Sequence, residues 1–141
     1  EIEAFLGLRQ LTQLDWLIEK RFTNHRLYKK ILEPHFQTQK YDQADTICSI
    51  HFCALAKNKA QRNKIIKALE TEKISTRPFV QGNQGRHPYW FRTYGQFGGI
   101  MADRLHDCGF FLPNHPHLEP SDIQFICEVV LKTIKEDGHG N

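Results

Sequence analysis

No apolar run in this chain approaches the ~18 residues that a membrane-spanning helix needs, and no signal-peptide pattern is present. Those absences argue against a membrane partner. No C-x-x-C pair occurs among the four cysteines, Cys48, Cys53, Cys108 and Cys127. Cys48 and Cys53 are five apart, which places them on opposite faces of a strand. Buried, reduced thiols are expected, not a disulfide framework. Dense clusters of basic residues are missing too: a net charge of +3, from 19 basic and 16 acidic residues, is scattered along the chain. That argues against nucleic acid as a partner. No internal repeat is found.

What is present suits one globular domain: 141 residues, 40% apolar and 25% charged. A domain of that size buries roughly 68–70% of its unfolded surface. From Glu1 to about Leu32, Gly7, Leu11, Leu14, Ile18, Phe22 and Leu32 recur at helical spacings, and no proline intervenes before Pro34. One long helix over 1–33 is therefore expected. It exceeds the usual span of about 8–20 residues, and it opens at Glu1, without Met, already inside its pattern. It reads as a bridge between two packed bodies, one of them upstream and missing. Residues 34–141 are expected to form a small α+β domain.

Within that domain Pro34 to Asp45 is polar and turn-like, and Thr46 to Ala56 alternates as a strand does. Asn58 can cap a helix running to about Lys73. Ile74 to Val80 reads as a second strand, which Pro78 makes short or confines to an edge. A long loop reaches Gly99, with five glycines from Gly82 on. Ile100 to Cys108 suits a short helix with Gly109 as its C′ residue, and Phe110 to Leu112 a third strand. Pro120 opens a last helix through Val130 to about Lys135, and the GHGN tail is expected to fray. Helices alternating with three short strands make a two-layer α+β module.

The stretch TRPFVQGNQGRHPYW, Thr76 to Trp90, sets two arginines, an asparagine, a histidine and two glycines between apolar runs without helical period. Guanidinium groups fork onto carboxylates and phosphates, and Gly-Asn lets backbone approach a ligand closely. An anionic ligand explains such a loop better than packing does.

Three segments resemble, in order, parts of one family. EIEAFLGLRQLTQLDWLIEKR is similar to the E-x-x-A-x-x-G-x-x-Q-L-x-x-L-D run of the sugar-nucleotide aminotransferases called DegT/DnrJ/StrS, which an arginine follows. The matching residues are Glu1 or Glu3, Ala4, Gly7, Gln10, Leu11, Leu14, Asp15 and Arg21. ISTRPFVQGNQGRHP resembles the I-x-T-R-P-x-x-x-G-N-x-x-R-x-P run of the dehydratase-like branch, which includes GDP-4-keto-6-deoxymannose 3-dehydratase and CDP-sugar 3-dehydratases. ADRLHDCGFFLPNHPHL resembles the segment near the family's C-terminus. Together the three span nearly the whole chain.

The resemblance implies the small C-terminal domain of a fold-type I enzyme dependent on pyridoxal phosphate (PLP): a long bridging helix plus a short three-stranded sheet covered by helices. Family members are cytoplasmic homodimers that act on nucleotide-linked 4-keto sugars, in deoxy- and amino-sugar or surface polysaccharide biosynthesis. Most transfer an amino group from glutamate, and the dehydratase branch removes the C3 hydroxyl. The family's Schiff-base lysine (a histidine in the dehydratases) lies in its large N-terminal domain, as does the aspartate that pairs with the pyridinium nitrogen. No lysine here has a matching context, so no catalytic residue is assigned and the chain alone is expected to be inactive. A stand-alone binding or interaction module without catalysis is the alternative.

By the same resemblance Arg77 is the leading candidate to hold the α-carboxylate of glutamate; a structural salt bridge beside Pro78 is the alternative. Asn83 would point its amide at the sugar or hold the loop through an Asx-turn. Arg86 and His87 would approach the sugar or diphosphate, or form an exposed basic loop. His115, in PNHP, resembles a position at the active-site mouth, and a turn role stands against it. The spacing of His106, Cys108, His115 and His117 matches no zinc set, so no metal is expected. Tyr89, Trp90, Phe91 and Tyr94 read as core or dimer packing, with stacking on a nucleotide base as the alternative.

Overall fold

The computed structural model describes residues 1–42, 44–79, 82–95 and 97–138, the side chains of 136–138 excepted. Its helices are α1 (Ile2–Leu11), α2 (Leu14–Leu32), α3 (Lys59–Thr71), α4 (Pro88–Tyr94), α5 (Ile100–Cys108) and α6 (Pro120–Gly138). Its strands are β1 (Gln37–Thr38), β2 (His51–Leu55), β3 (Arg77–Pro78) and β4 (Gly109–Pro113), and a 3₁₀ turn covers Gln84–Arg86. The class is α+β, as expected.

The sheet runs β1-β2-β4-β3 with every pairing antiparallel. Period-two alternation sorts its side chains. Phe52, Ala54, Phe110 and Leu112 face the core, where Tyr28 and Leu32 of α2, Ile65 and Leu69 of α3, and Ile123 and Val130 of α6 cover them. Tyr28 stacks on Phe52 with centroids 5.0 Å apart. Burying such side chains yields roughly 1.5–3 kcal/mol each relative to exposure, and this layer holds the helices to the sheet.

Four expectations need correction. The sheet has four strands, not three, because Gln37–Thr38 in the stretch read as a turn pairs with Ala54 and Leu55 at the β2 edge. The first helix is two helices: Thr12 Oγ1 donates to Arg9 O at 2.8 Å and Gln13 N–H to Gln10 O at 3.1 Å, closing one helix before the next begins. The long loop contains a helix, α4, with Pro88 at its first position. Gly109 follows α5 as placed, but with φ −75° it is extended. Its glycine is demanded by approach instead, since a Cβ there would lie 2.6 Å from Leu105 O and from the Phe79 ring.

Asn58 caps α3, its side chain accepting from Gln61 N–H at 2.9 Å. Pro78 lies on an edge strand. The second strand is shorter than read, and Val80 lies outside the described residues, as does most of the GHGN tail. All four cysteines are free: Cys108 and Cys127 are buried, Cys53 is half-buried, and Cys48 is exposed ahead of β2 instead of within it.

Candidate functional site

The face of the sheet turned away from the core carries the chemistry. Arg77 pairs with Phe111 across β3 and β4, Cys53 pairs with Phe111 from β2, and His51 pairs with Pro113. Directly paired residues share a face, so Arg77, His51 and Phe111 all point away from the buried layer. His51 stacks on Phe111 at 4.9 Å between centroids, with planes 18° apart. Thr76 Oγ1 donates to Phe111 O at 2.7 Å, which fixes the residue before the arginine.

These residues line a cleft of about 300 Å³ that also takes in Arg21, Asn114 and His115. Neither Asp, Glu nor Lys is among its described lining residues. Two arginines thus line one cleft with no carboxylate among its described lining residues. Burial, and then the neighbouring Arg77 charge, push His51 below the usual histidine range, so its imidazole is neutral at pH 7. The buried Nε of Arg21 and Oδ1 of Asn114 take no partner among the described residues. The arrangement suits an anion with acceptor oxygens.

Helix α2 sets the far wall. Asn24 Nδ2 donates to His115 O at 3.1 Å, and Tyr28 Oη donates to Pro113 O at 2.9 Å. Asn114, 0% exposed, donates from Nδ2 to Arg21 O at 3.1 Å and to Ser49 O at 2.7 Å. The backbone of Pro113 to His115 is thereby held on both sides. The His115 ring is exposed, and its Nδ1 accepts from His117 N–H at 3.3 Å.

Arg77 and His115 therefore share one cleft, whereas Asn83 and Arg86 do not line it. Those two meet over α5 instead. Asn83, 4% exposed, donates from Nδ2 to Asp103 Oδ1 at 2.9 Å and accepts at Oδ1 from Gly85 N–H at 2.9 Å, an Asx-type turn. Arg86 Nη1 lies 3.1 Å from Asp107 Oδ2 and 3.5 Å from Asp103 Oδ1. The Arg86 hydrogen bond is the main reason that Asp107 sits below the usual carboxylate range.

Sequence reasoning missed His51 and Asn114 as cleft residues, and it noted Arg21 without a role. Register was the usable signal for His51: in a strand opposite Phe110 to Leu112 it lands beside any arginine that pairs with Phe111. Among the described residues no three His, Cys, Asp or Glu side chains are grouped as a metal site.

A model of the DegT/DnrJ/EryC1/StrS aminotransferase family matches residues 1–131. A search of curated proteins found no match. Among solved structures the chain resembles Helicobacter pylori PseC, an aminotransferase of pseudaminic acid biosynthesis, with TM-score 0.81, 21% identity, and 93% of this chain and 36% of that one covered. It also resembles the E. coli GDP-4-keto-6-deoxy-D-mannose-3-dehydratase with bound hydrated PLP, with TM-score 0.76, 21% identity, and 88% and 33% covered. A Brucella abortus DegT/DnrJ/EryC1/StrS aminotransferase gives TM-score 0.75 and 20% identity over 95% of this chain and 34% of that one. The chain spans about a third of the length of these solved relatives. With a family model covering nearly all of its elements, the chain belongs to the DegT/DnrJ/EryC1/StrS aminotransferase family.

Proposed function

We propose that this chain forms the small C-terminal domain of a cytoplasmic, homodimeric PLP-dependent enzyme acting on nucleotide-linked 4-keto sugars, as an aminotransferase or a 3-dehydratase. Residues 1–33 would bridge to the domain that holds the cofactor. The observation that carries the reading is the cleft, where Arg77 and Arg21 line one concavity with no acidic residue among its described lining. In it Arg77 takes the α-carboxylate of glutamate through its planar fork, and His115 stands at the mouth. The turn bearing Asn83 and Arg86 faces the nucleotide sugar, with Asn83 shaping the turn and Arg86 tying it to Asp103 and Asp107 of α5. Closure of that turn excludes water and orients the reacting carbon.

Two solved structures of one relative support the substrate classes: GDP-4-keto-6-deoxymannose-3-dehydratase carries a trapped PLP-glutamate geminal diamine in one and GDP-perosamine in the other. The cofactor itself does not fit this chain alone. A Schiff base needs a lysine, and the pyridinium nitrogen needs a carboxylate; neither type lines the cleft among the described residues. Its anchors would lie in the rest of the enzyme.

The test is Arg77→Ala in the complete enzyme. Losing a charge-assisted carboxylate contact worth about 1.5–3 kcal/mol lowers kcat/KM for the glutamate half-reaction roughly 10- to 150-fold, with nucleotide-sugar affinity retained. An unchanged half-reaction removes Arg77 from the role.

A further inference from the structure

The turn that carries Asn83 and Arg86 is fastened to α5 through an acceptor that can be titrated. Asn83 N–H donates to His106 Nδ1 at 3.1 Å. That bond requires the ring proton on Nε2 and an open lone pair on Nδ1. Gly82, at φ +51°, lies so close that a Cβ on it would overlap Nδ1 and come within 3.2 Å of His106 Cβ. A glycine at this position is what lets the turn backbone lie against the ring. Further along, Asn83 is bonded to Asp103 and Gly85, and a Cβ on Gly85 would overlap Phe97 O. Moving Asn83 thus moves Gly85, and Arg86 with it.

We propose that His106 is the positioning residue of the 82–86 turn: its neutral imidazole clasps the Asn83 amide, and uptake of a proton at Nδ1 opens the clasp. The protonated ring has two N–H donors and no acceptor, so donor would face donor. The groups around it are Arg86 and His87 from the turn, Lys59 from α3, and Asp103 and Asp107 on its own helix. Arg86 bridges both aspartates, and Lys59 reaches Asp107 at 3.8 Å. Burial first, then Arg86, with smaller contributions from His87 and Lys59, lower the His106 pKa; Asp107 opposes them.

A released imidazole titrates near the ordinary value of about 6.5, and the clasped one titrates lower. The clasp is at full strength above pH ~6.5 and is lost as pH falls through the lowered value. The clasp does not depend on what ligand the turn meets. Its enzymatic consequence rests on the function proposed above: a nucleotide-sugar KM that rises at low pH while the glutamate half-reaction does not.

Hydrogen–deuterium exchange tests the clasp in protein carrying all 141 residues. Exchange of the 82–87 segment is followed from pH 8 to pH 5, corrected for intrinsic rate and referred to the β2–β4 ladder. We expect its protection to fall about tenfold over that range, the equilibrium worth of one hydrogen bond. His106→Asn keeps an acceptor oxygen near the Nδ1 position but cannot titrate, so protection holds at both ends. His106→Phe lacks the acceptor, so protection is low throughout. Protection that stays constant with pH in the unsubstituted protein, or a pH response that persists in His106→Asn, overturns the proposal. Either result leaves the Arg77 reading intact.

Discussion

Asn114 ties together three parts of the molecule with one side chain. Its amide donates to carbonyls of α2 and of the segment before β2, while its own N–H donates to Ile50 O at 3.2 Å. Removing that amide leaves two carbonyls at a buried position without their donor. Asn114→Ala is expected to cost about 2–3 kcal/mol, read as a lower urea midpoint at unchanged m value. Asn114→Asp should cost more, because an acceptor-only carboxylate would face the same two carbonyls. The sequence already placed Asn114 within a quoted motif, yet its role was not legible there. Its partners Arg21 and Ser49 lie 93 and 65 positions away, and no local pattern encodes such a distance. Arg77 was legible for the opposite reason: it sits in a short, non-helical, cationic stretch beside a proline, where the chemistry is written in adjacent residues.

Elements with local causes were the easiest to read. Asn58 caps α3, and Gln61 Oε1 accepts in return from Lys57 N–H at 2.8 Å. Asn58→Ala should lose about 1 kcal/mol, measurable by chemical denaturation. α6 opens at Pro120, and β4 follows α5 directly, both foreseeable from single residues. β1 was not legible because two polar residues carry no alternation, and only the neighbouring β2 edge makes them a strand. The break between α1 and α2 was hidden because neither glycine nor proline marks it; a threonine hydroxyl and one backbone bond close the first helix. α4 spans seven residues, too few for a helical period to show, and Pro88 was its one available sign.

At the scale of the whole molecule the unbalanced part is α1. None of its residues is buried, and Ile2, Phe5, Leu6, Leu8 and Leu11 are 55–78% exposed. An apolar surface of that kind is ordinarily covered, in accord with our proposal that 1–33 bridges to another body. The 141-residue chain studied alone should therefore self-associate in sedimentation velocity. Phe5→Glu with Leu8→Glu should return it to a monomer, whereas a chain already monomeric at high concentration would contradict the expectation.

The strand β3 has only two residues, and both of them pair with β4. Nothing in β3 itself sets which way Arg77 points. β4 acts as a template, and the span from Ile74 to Arg77 measures the chain out to meet it. Deleting or inserting a single residue in that span would exchange Arg77 and Pro78 between the two faces of the sheet. The guanidinium would then leave the cleft for the opposite face of the sheet and the ring would take its place, with every side chain of the cleft's other walls unchanged. Spacing in this short connector is accordingly under tighter constraint than its exposed composition suggests, and length variants there should lose the proposed anion binding before they lose the fold.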